Sequence, residues 1–378
     1  MKNNFSYWEQ ESFLSGFDVL IIGSGIVGLS AALSLKSQKP KLKIGVLEAG
    51  FLPAGASTKN AGFACFGSIS ELIEELKTGG EDEIGGIIEL RWKGLERLRK
   101  NLGDKAISFE QYGGYEVFKA SESGFANTCI EQIPYFNKLL GSLIGKPDIY
   151  AVNTTKIAEF GMNGITNLIH NKYEGQIDTG KMMLALVSKV QGLGVSIFNN
   201  CRVQKIESKL NEQVLITNQG KFRANSIILA TNAFGTELIP ELDVIPGRGQ
   251  ILITEPIKSL KIKGSFHYNR GYTYFRNIDD RILLGGGRDL DFEGEQTLEP
   301  GITDIIQESL ERLLFETIIP KQKVKIEHRW SGVMGFGKEL KPIVKKIRPG
   351  LYCAVRCNGM GVAMGSLLGE QVANLIDL

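Results

Sequence analysis

The order of apolar and polar residues predicts that strands and helices alternate along the chain. The apolar run FDVLII begins at Phe17 and is followed by the glycine turn GSGIVG, by LSAALSLKSQ with helical spacing of its apolar residues, and by the apolar strand KIGVLEAG. This order is typical of a βαβ unit. Glu48 ends the second strand 25 residues after Gly23, close to the roughly 20 residues expected before a ribose-binding acid in a dinucleotide fold.

Further along the chain, the pattern predicts more helices and a separate sheet. Helical spacing of apolar residues occurs at about 70–78, 84–101, 176–194, 303–318 and 359–376. The segments ILITEP, YTYFRN and RILLGGG are strand candidates separated by turn residues, which predicts an antiparallel sheet. Because there is no internal repeat and no low-complexity linker, we expect domains that are interleaved along the chain.

Composition and charge narrow the class of protein. The chain has 378 residues, 43% of them hydrophobic and 23% charged, which is typical of a globular protein with a sizeable core. The formal net charge of +2 gives no electrostatic surplus for nucleic acid or an anionic membrane surface. No segment has the roughly 20 apolar residues that span a bilayer, and the N-terminus lacks a secretory pattern. Five scattered cysteines favour a reducing compartment, so we expect a cytoplasmic protein.

The glycine turn carries the first indication of chemistry. In a dinucleotide fold, Gly23 allows the tight turn, Gly25 lets a pyrophosphate approach the backbone, and Gly28 lets the helix pack on the strand. The strand before this turn, the helix after it and Glu48 together disfavour an ordinary glycine turn. Glu48 also favours an unphosphorylated ribose, because a carboxylate repels a 2′-phosphate. At this stage a nicotinamide-dependent dehydrogenase and a flavoprotein both remain open.

The segment GASTKNAGFACFGS at 55–68 is rich in small residues and too apolar for a solvated loop. With this segment, the sequence resembles the D-amino acid oxidase family of FAD-dependent oxidoreductases over nearly its whole length. The other matching pieces, in the family's order, are SIILATNAFG, PGRGQILITEP, YTYFRNIDDRILLGGG, HRWSGVMGF and CNGMGVAMGSLLG. The resemblance implies an α/β fold with a Rossmann-type FAD-binding domain interleaved with an α+β substrate domain built on an antiparallel sheet.

The resemblance also implies which residues bind FAD. Gly359, Met360 and Gly361 begin a helix whose free amides carry about half a positive charge, and in the family this loop faces the flavin. The same glycines would equally serve close packing on the first βαβ unit. The expected FAD-binding residues are Gly23, Ser24, Gly25, Ile26, Val27, Gly28, Glu48, Ala49, Ser57, Thr58, Lys59, Asn60, Ala61, Gly62, Val203, Thr231, Ala233, Gly359, Met360, Gly361 and Val362.

The sequence predicts non-covalent FAD and no metal. No cysteine matches the attachment motif of sarcosine oxidases, so Cys357 is expected to be an inert thiol. Cys353 and Cys357 lack a second pair for a zinc site. The histidines stand in no metal-binding spacing; they are His170, His267 and His328.

Strand YTYFR predicts the substrate contacts. Tyr272, Tyr274 and Arg276 share one face by the period of two. In the family, a tyrosine at the position matching Tyr272 faces the substrate, and Arg276 is expected to bind a carboxylate. An equally good explanation is that Tyr274 packs on other side chains and that Arg276 lies at the solvent-exposed end of this sheet face. Met334 stands near the position of the family's carboxylate-binding arginine, so Arg276 or Lys338 would have to supply the cation.

These expectations combine into one activity. The chain is expected to oxidise a C–N bond of a small amine or amino acid by hydride transfer to FAD, giving an imine that water hydrolyses. Oxygen or a quinone would accept the electrons, and the protein would be a monomer or homodimer. A non-catalytic flavin-binding or sensing protein is the alternative that Met334 supports. The expected domains are 1–80, 151–242 and 327–378 for FAD, and 81–150 and 243–326 for substrate.

Overall fold

The computed structural model describes residues 4–209 and 212–376. The strands in these residues are β1 (Phe17–Ile22), β2 (Ile44–Leu47), β3 (Phe63–Ala64), β4 (Gly114–Lys119), β5 (Tyr150–Val152), β6 (Ile165–Asn171), β7 (Gly175–Gln176), β8 (Ser196–Phe198), β9 (Val203–Lys209), β10 (Glu212–Thr217), β11 (Gly220–Leu229), β12 (Ile245–Thr254), β13 (Ser265–Tyr268), β14 (Thr273–Ile278), β15 (Arg281–Gly286), β16 (Ile326–Phe336), β17 (Ile343–Arg348) and β18 (Leu351–Val355). The helices are α1 (Ile26–Gln38), α2 (Ile69–Leu102), α3 (Ser123–Glu131), α4 (Ile133–Ile144), α5 (Thr155–Phe160), α6 (Thr179–Gly192), α7 (Asp304–Leu313) and α8 (Gly361–Asn374).

The first sheet contains the predicted βαβ unit. Its strands run in the order β17-β18-β11-β1-β2-β8, with the hairpin strands β9 and β10 attached beside β11. Strand β1 pairs in parallel with both β2 and β11. Nearly every residue of β1 and all of β2 are buried, as is typical of parallel strands covered by helices on both faces. The mixed α/β architecture predicted from the sequence is confirmed.

The second sheet runs in the order β16-β12-β15-β14-β13-β4-β6-β5. Neighbouring strands are antiparallel except β13 and β4, which are parallel. The predicted antiparallel strands are therefore present as β12, β14 and β15. However, β5, β6 and β16 also belong to this sheet. Parts of segments 151–242 and 327–378, which were expected to bind FAD, therefore pair with strands of the segments expected to bind substrate.

The helices predicted at 70–78 and 84–101 form one element, α2, with a kink. Gly80 has φ +71° and ψ 174° inside it, a conformation that glycine adopts readily. The predicted helix at 303–318 ends as α7 at Leu313 and continues as a short π-helical turn, Leu314–Ile318. Among the described residues, no helix is long and apolar enough to cross a membrane.

Helices α1 and α8 pack closely against each other on the first sheet. A Cβ on Gly369 would lie 2.6 Å from the Ser30 Cβ, and one on Gly365 would lie 2.8 Å from the Ile26 side chain. Backbones can approach this closely only where no side chain intervenes. The contact fixes the start of α8 beside the glycine turn after β1, where the candidate site lies.

Candidate active site

The glycine turn between β1 and α1 leaves no room for side chains. Gly23 has φ +103°, and a Cβ there would lie 2.8 Å from the Ala230 carbonyl oxygen. A Cβ on Gly28 would overlap the Gly23 carbonyl. Helix α1 begins at Ile26, and its N-cap residue, Gly25, has no side chain that could cap the helix. The Ser57 hydroxyl oxygen accepts a hydrogen bond from the Ile26 N–H (3.0 Å). The helix N-terminus lies at the carboxyl ends of the parallel strands, where α/β sheets bind phosphates.

Glu48 lies at the end of β2, beside this turn. Its Oε2 accepts hydrogen bonds from the Ser24 backbone N–H (3.1 Å) and the Ser24 hydroxyl (2.6 Å), and its Oε1 accepts one from the Gly50 N–H (2.9 Å). These bonds fix the carboxylate at the rim of a cavity that Glu48 also lines. An acid held in this position can accept hydrogen bonds from ribose hydroxyls.

The first cavity has a volume of about 280 Å³ and extends from this turn to the start of α8. The Thr231 hydroxyl lines it and is buried without a hydrogen-bond partner among the described residues. A buried, unpaired hydroxyl beside a glycine turn fits a polar ligand that would supply the missing hydrogen bond. The geometry thus fits the dinucleotide predicted from the sequence.

The segment after Gly55 separates this cavity from a second one. Asn60 holds its turn, since its side-chain amide donates to the carbonyls of Ala56 and Ser57 (3.1 and 3.0 Å) and its Oδ1 accepts from the Gly62 N–H (2.8 Å). Asn60 lines both cavities. The segment therefore forms a shared wall.

Arg276 supports this wall through hydrogen bonds to its backbone. Its Nη1 donates to the carbonyl oxygens of Ala61 (3.2 Å), Gly62 (3.1 Å) and Ile177 (2.7 Å), and its side chain is almost fully buried. Burial lowers the pKa of this guanidinium to about 10. Arg276 does not line the second cavity. Its Nη1 and Nε groups donate to backbone carbonyls, so this geometry does not favour the predicted contact of Arg276 with a substrate carboxylate.

The second cavity, of about 260 Å³, lies between the second sheet and the start of α8. Tyr272 lines it at the mouth and is 39% exposed. Tyr274, also in its wall, is partly buried, and desolvation raises the pKa of its phenol to about 12. Met334 lines both cavities. Tyr272 thus lines a cavity that adjoins the candidate dinucleotide site, and its contact with a substrate stays a prediction.

Arg288 is the cation that the sequence reasoning missed. It lines the second cavity, and its guanidinium lies 4.1 Å from the ring centre of Phe336 and 5.0 Å from that of Phe292. Partial burial lowers the pKa of Arg288, although Tyr272 and nearby acids oppose this. In residues 4–209 and 212–376, no carboxylate forms a salt bridge with it. A guanidinium stacked on aromatic rings and free of an acid can bind a carboxylate.

The sequence missed Arg288 because it follows the strand in the turn after Gly287, outside the two-residue period that pointed to Arg276. Lys338, the other cation considered, is exposed and lies outside the lining of this cavity.

The structure brings most of the predicted cofactor residues to the two cavities. Those lining the first are Gly23, Gly25, Ile26, Val27, Glu48, Ala49, Ser57, Asn60, Val203, Thr231, Gly359, Gly361 and Val362. Those lining the second are Lys59, Asn60, Ala61, Gly62, Gly359, Met360 and Val362. Ser24, Gly28, Thr58 and Ala233 line neither. Ser24 contacts Glu48 and Gly28 packs on Gly23, so both act through other residues.

Helix α8 is compatible with both interpretations that the sequence left open: a helix start that faces the cofactor, and glycines that allow close packing. Gly359, with φ +80°, lines both cavities, and Gly361 begins the helix at the first. Gly365 and Gly369, further along, make the close contact with α1. The helix N-terminus and the packing glycines are thus different parts of one element.

Comparison with known proteins identifies relatives along nearly the whole chain. The family model described as DAO, FAD dependent oxidoreductase, matches residues 18–375. The chain is 24% identical over 370 residues to the probable oxidoreductase OrdL of Haemophilus influenzae, covering 95% of this chain and 82% of that protein. It is 25% identical over 375 residues to gamma-glutamylputrescine oxidoreductase of Escherichia coli, covering 95% and 83%. Among solved structures, glycine oxidase from Bacillus cereus superposes with a TM-score of 0.76 at 17% identity, covering 95% and 97%.

Proposed function

Because the chain belongs to the DAO family of FAD-dependent oxidoreductases, we propose that it oxidises a carbon–nitrogen bond of a small amine or amino acid. FAD, when bound, accepts a hydride from the carbon that carries the nitrogen. The resulting imine is hydrolysed by water to a carbonyl compound and ammonia or an amine. Among relatives whose names state a substrate, gamma-glutamylputrescine oxidoreductase and glycine oxidase support a nitrogen-bearing substrate. L-2-hydroxyglutarate dehydrogenase of Homo sapiens, 25% identical over 323 residues, names a 2-hydroxy acid instead.

One observation carries the proposal: an unpaired arginine and a tyrosine line a cavity adjoining the dinucleotide site. Arg288 and Tyr272 bind a carboxylate of the substrate, the guanidinium through charge-assisted hydrogen bonds and the phenol through its O–H. Both groups lie against the same ring: the Phe292 ring centre is 5.6 Å from that of Tyr272 and 5.0 Å from the Arg288 guanidinium. The substrate is therefore an amino acid or another amine that carries an acid group.

The other residues bind and orient. Glu48 binds the adenosine ribose, Thr231 donates its unpaired hydroxyl to the dinucleotide, and the amides at the start of α8 stabilise negative charge on the reduced flavin. Arg276 holds the Ala61–Gly62 backbone in place and is a positioning residue. The segment of residues 59–62 and Met334 exclude water from the shared wall. Oxygen or a quinone receives the electrons.

The experiment is an anaerobic screen of the purified, yellow holoprotein. Glycine, D- and L-amino acids, secondary amino acids and acylated diamines are added in turn, and the oxidised flavin absorption is followed. The proposal predicts that a carboxylate-bearing amine bleaches the flavin. If no nitrogen compound bleaches it, C–N oxidation is wrong, and a binding or sensing role takes its place. Oxygen uptake after bleaching, compared with reduction of a soluble quinone, identifies the acceptor.

A further inference from the structure

A cluster of polar side chains lies in the wall of the second cavity, away from Arg288. Cys65 follows β3, Glu71 lies in the first turn of α2, Glu174 precedes β7, and His267 lies in β13. Three of them, Cys65, Glu71 and His267, also line the cavity. Nothing in the amine oxidation proposed above uses them.

The imidazole of His267 is oriented from one side only. Its Nδ1 lies 3.3 Å from Glu71 Oε2. The same carboxylate oxygen accepts hydrogen bonds from the Ser68 N–H (3.0 Å) and hydroxyl (2.6 Å), as part of the capping box at the start of α2. Glu71 is thus fixed independently of His267. A carboxylate at Nδ1 keeps a proton on that nitrogen, so Nε2 is the nitrogen that a metal ion can bind in place of a proton.

The opposite nitrogen, Nε2, has no hydrogen-bond partner within the described part of the chain, although His267 is only 5% exposed. Glu174 Oε2 is the nearest acidic oxygen, at 3.7 Å, too far for a hydrogen bond. A buried imidazole nitrogen without a partner costs free energy unless something absent from the protein chain binds to it.

Glu174 presents one free oxygen toward this nitrogen. Its Oε1 accepts hydrogen bonds from the backbone N–H groups of Phe66 (3.0 Å) and Gly67 (3.3 Å), which fixes the carboxylate plane. The side chain is 1% exposed. Its Oε2, the Cys65 Sγ and one nitrogen of His267 all lie within 4.8 Å of one another.

The cluster places three carboxylates, Glu71, Glu116 and Glu174, around one imidazole, which can carry only a single positive charge. Glu174 is buried, Glu71 is largely buried, and Glu116 lies nearby in β4. The nearby arginines are engaged elsewhere: Arg91 pairs with Glu75 at 2.6 Å, and Arg270 stands 3.8 Å from Glu74. Buried carboxylates are stable only when paired with positive charge or bound to a metal.

We propose that Cys65, Glu174 and His267 are the ligands of a Zn²⁺ ion, with Glu71 orienting His267. One thiolate, one imidazole and one carboxylate are a ligand set that zinc accepts. When both bind one tetrahedral zinc ion, the carboxylate oxygen and the imidazole nitrogen are about 3.3 Å apart. Small side-chain movements from the observed separations close the site. The fourth position faces the second cavity, where a water or a substrate heteroatom can occupy it.

The site was not visible in the sequence because its ligands come from three distant segments. Residues 65, 174 and 267 share no short spacing, and the pairing of β3 with β7 and of β13 with β4 brings them together. The sequence expectation of no metal rested on spacing alone, and this proposal departs from it.

The test measures zinc on the purified holoprotein after chelator treatment and equilibration with zinc-buffered solution. We expect one zinc per chain by mass spectrometry of the metal, and an X-ray absorption spectrum with a single Zn–S distance of about 2.3 Å. Cys65→Ala and His267→Gln should each lose the metal, whereas the matched controls Cys353→Ala and His170→Gln should retain it. Glu71→Gln should weaken zinc binding by roughly 10- to 100-fold, as expected for a residue that orients a ligand.

Two results would overturn the proposal. One is wild-type protein with full flavin content and no zinc. The other is zinc that stays bound in Cys65→Ala and His267→Gln. Should these variants fail to fold, the wild-type absorption spectrum decides alone: zinc without a sulfur neighbour contradicts the site. Because the readout is metal content, amine oxidation can fail while the zinc site stands, and the reverse.

Discussion

Arg288 and Arg276 differ in what holds their guanidinium groups, so removing each should have a different effect. Arg288→Met leaves a bound carboxylate without its cation, which costs about 1.5–3 kcal/mol. We expect kcat/KM for a carboxylate-bearing amine to fall roughly 10- to 100-fold, with an unchanged flavin spectrum. Steady-state kinetics with this substrate and with a carboxylate-free amine measure the effect.

Arg276→Met is the matched comparison. Because Arg276 donates to the backbone of the segment shared by the two cavities, its removal should lower stability and flavin retention, and slow both substrates alike. If Arg288→Met slows the carboxylate-free amine as much as the acidic one, Arg288 is structural and the substrate is bound elsewhere.

Glu48 offers a second prediction at the level of one residue. Its carboxylate is expected to bind the ribose, and one charge-assisted hydrogen bond contributes about 1.5–3 kcal/mol. Glu48→Ala should therefore weaken FAD binding roughly tenfold or more, measured by titrating flavin-free protein with FAD. Glu48→Gln can still accept a hydrogen bond from the Ser24 hydroxyl and should lose less. Unchanged affinity in Glu48→Ala would show that the acid only supports the turn.

Cys357 lines the first cavity, and its burial raises the pKa of the thiol to about 12. At neutral pH the thiol is protonated and is a poor nucleophile. We therefore predict non-covalent FAD: acid or heat denaturation should release the yellow colour into the supernatant. Colour that remains with the precipitated chain in the wild type, and is released from Cys357→Ser, would contradict this prediction.

At the level of elements, the contact between α1 and α8 positions the start of α8, which lines both cavities. Gly369→Ala places a Cβ 2.7 Å from the Val27 carbonyl oxygen and the Ala31 nitrogen, so we expect a loss of about 1–3 kcal/mol in the free energy of unfolding. Gly86→Ala, at an exposed position of α2 with open space around it, should gain up to about 1 kcal/mol from helix propensity. Chemical denaturation measures both; equal effects would contradict the packing argument.

The sequence predicted strands and helices correctly where the apolar pattern repeats within a few residues. The βαβ unit around Gly23 and the strands β12, β14 and β15 follow from patterns of a few residues. It failed where tertiary pairing decided: β16 joins the second sheet through its ladder with β12, although the domain expectation placed 327–378 elsewhere. Gly80 interrupts the helical backbone of α2, in the gap between the two helices that the sequence predicted at about 70–78 and 84–101.

For the whole molecule, the dinucleotide site was largely predictable and the substrate cavity was not. Most residues expected to bind FAD lie in short motifs next to strand ends and line the first cavity. The side chains of the second cavity come from segments as far apart as Cys65, Arg288 and Phe336. Their meeting depends on strand order, and the period of two that selected Arg276 could not show that its guanidinium donates to backbone carbonyls.

The central claim is oxidation of a carbon–nitrogen bond, and product analysis in an anaerobic single turnover tests it most directly. Holoprotein is mixed with the substrate that bleaches its flavin, and the products are quantified against the flavin reduced. The account predicts one equivalent of ammonium or amine and one equivalent of a carbonyl compound for each flavin. Flavin bleached by a 2-hydroxy acid, with no nitrogen released by any amine, would contradict it.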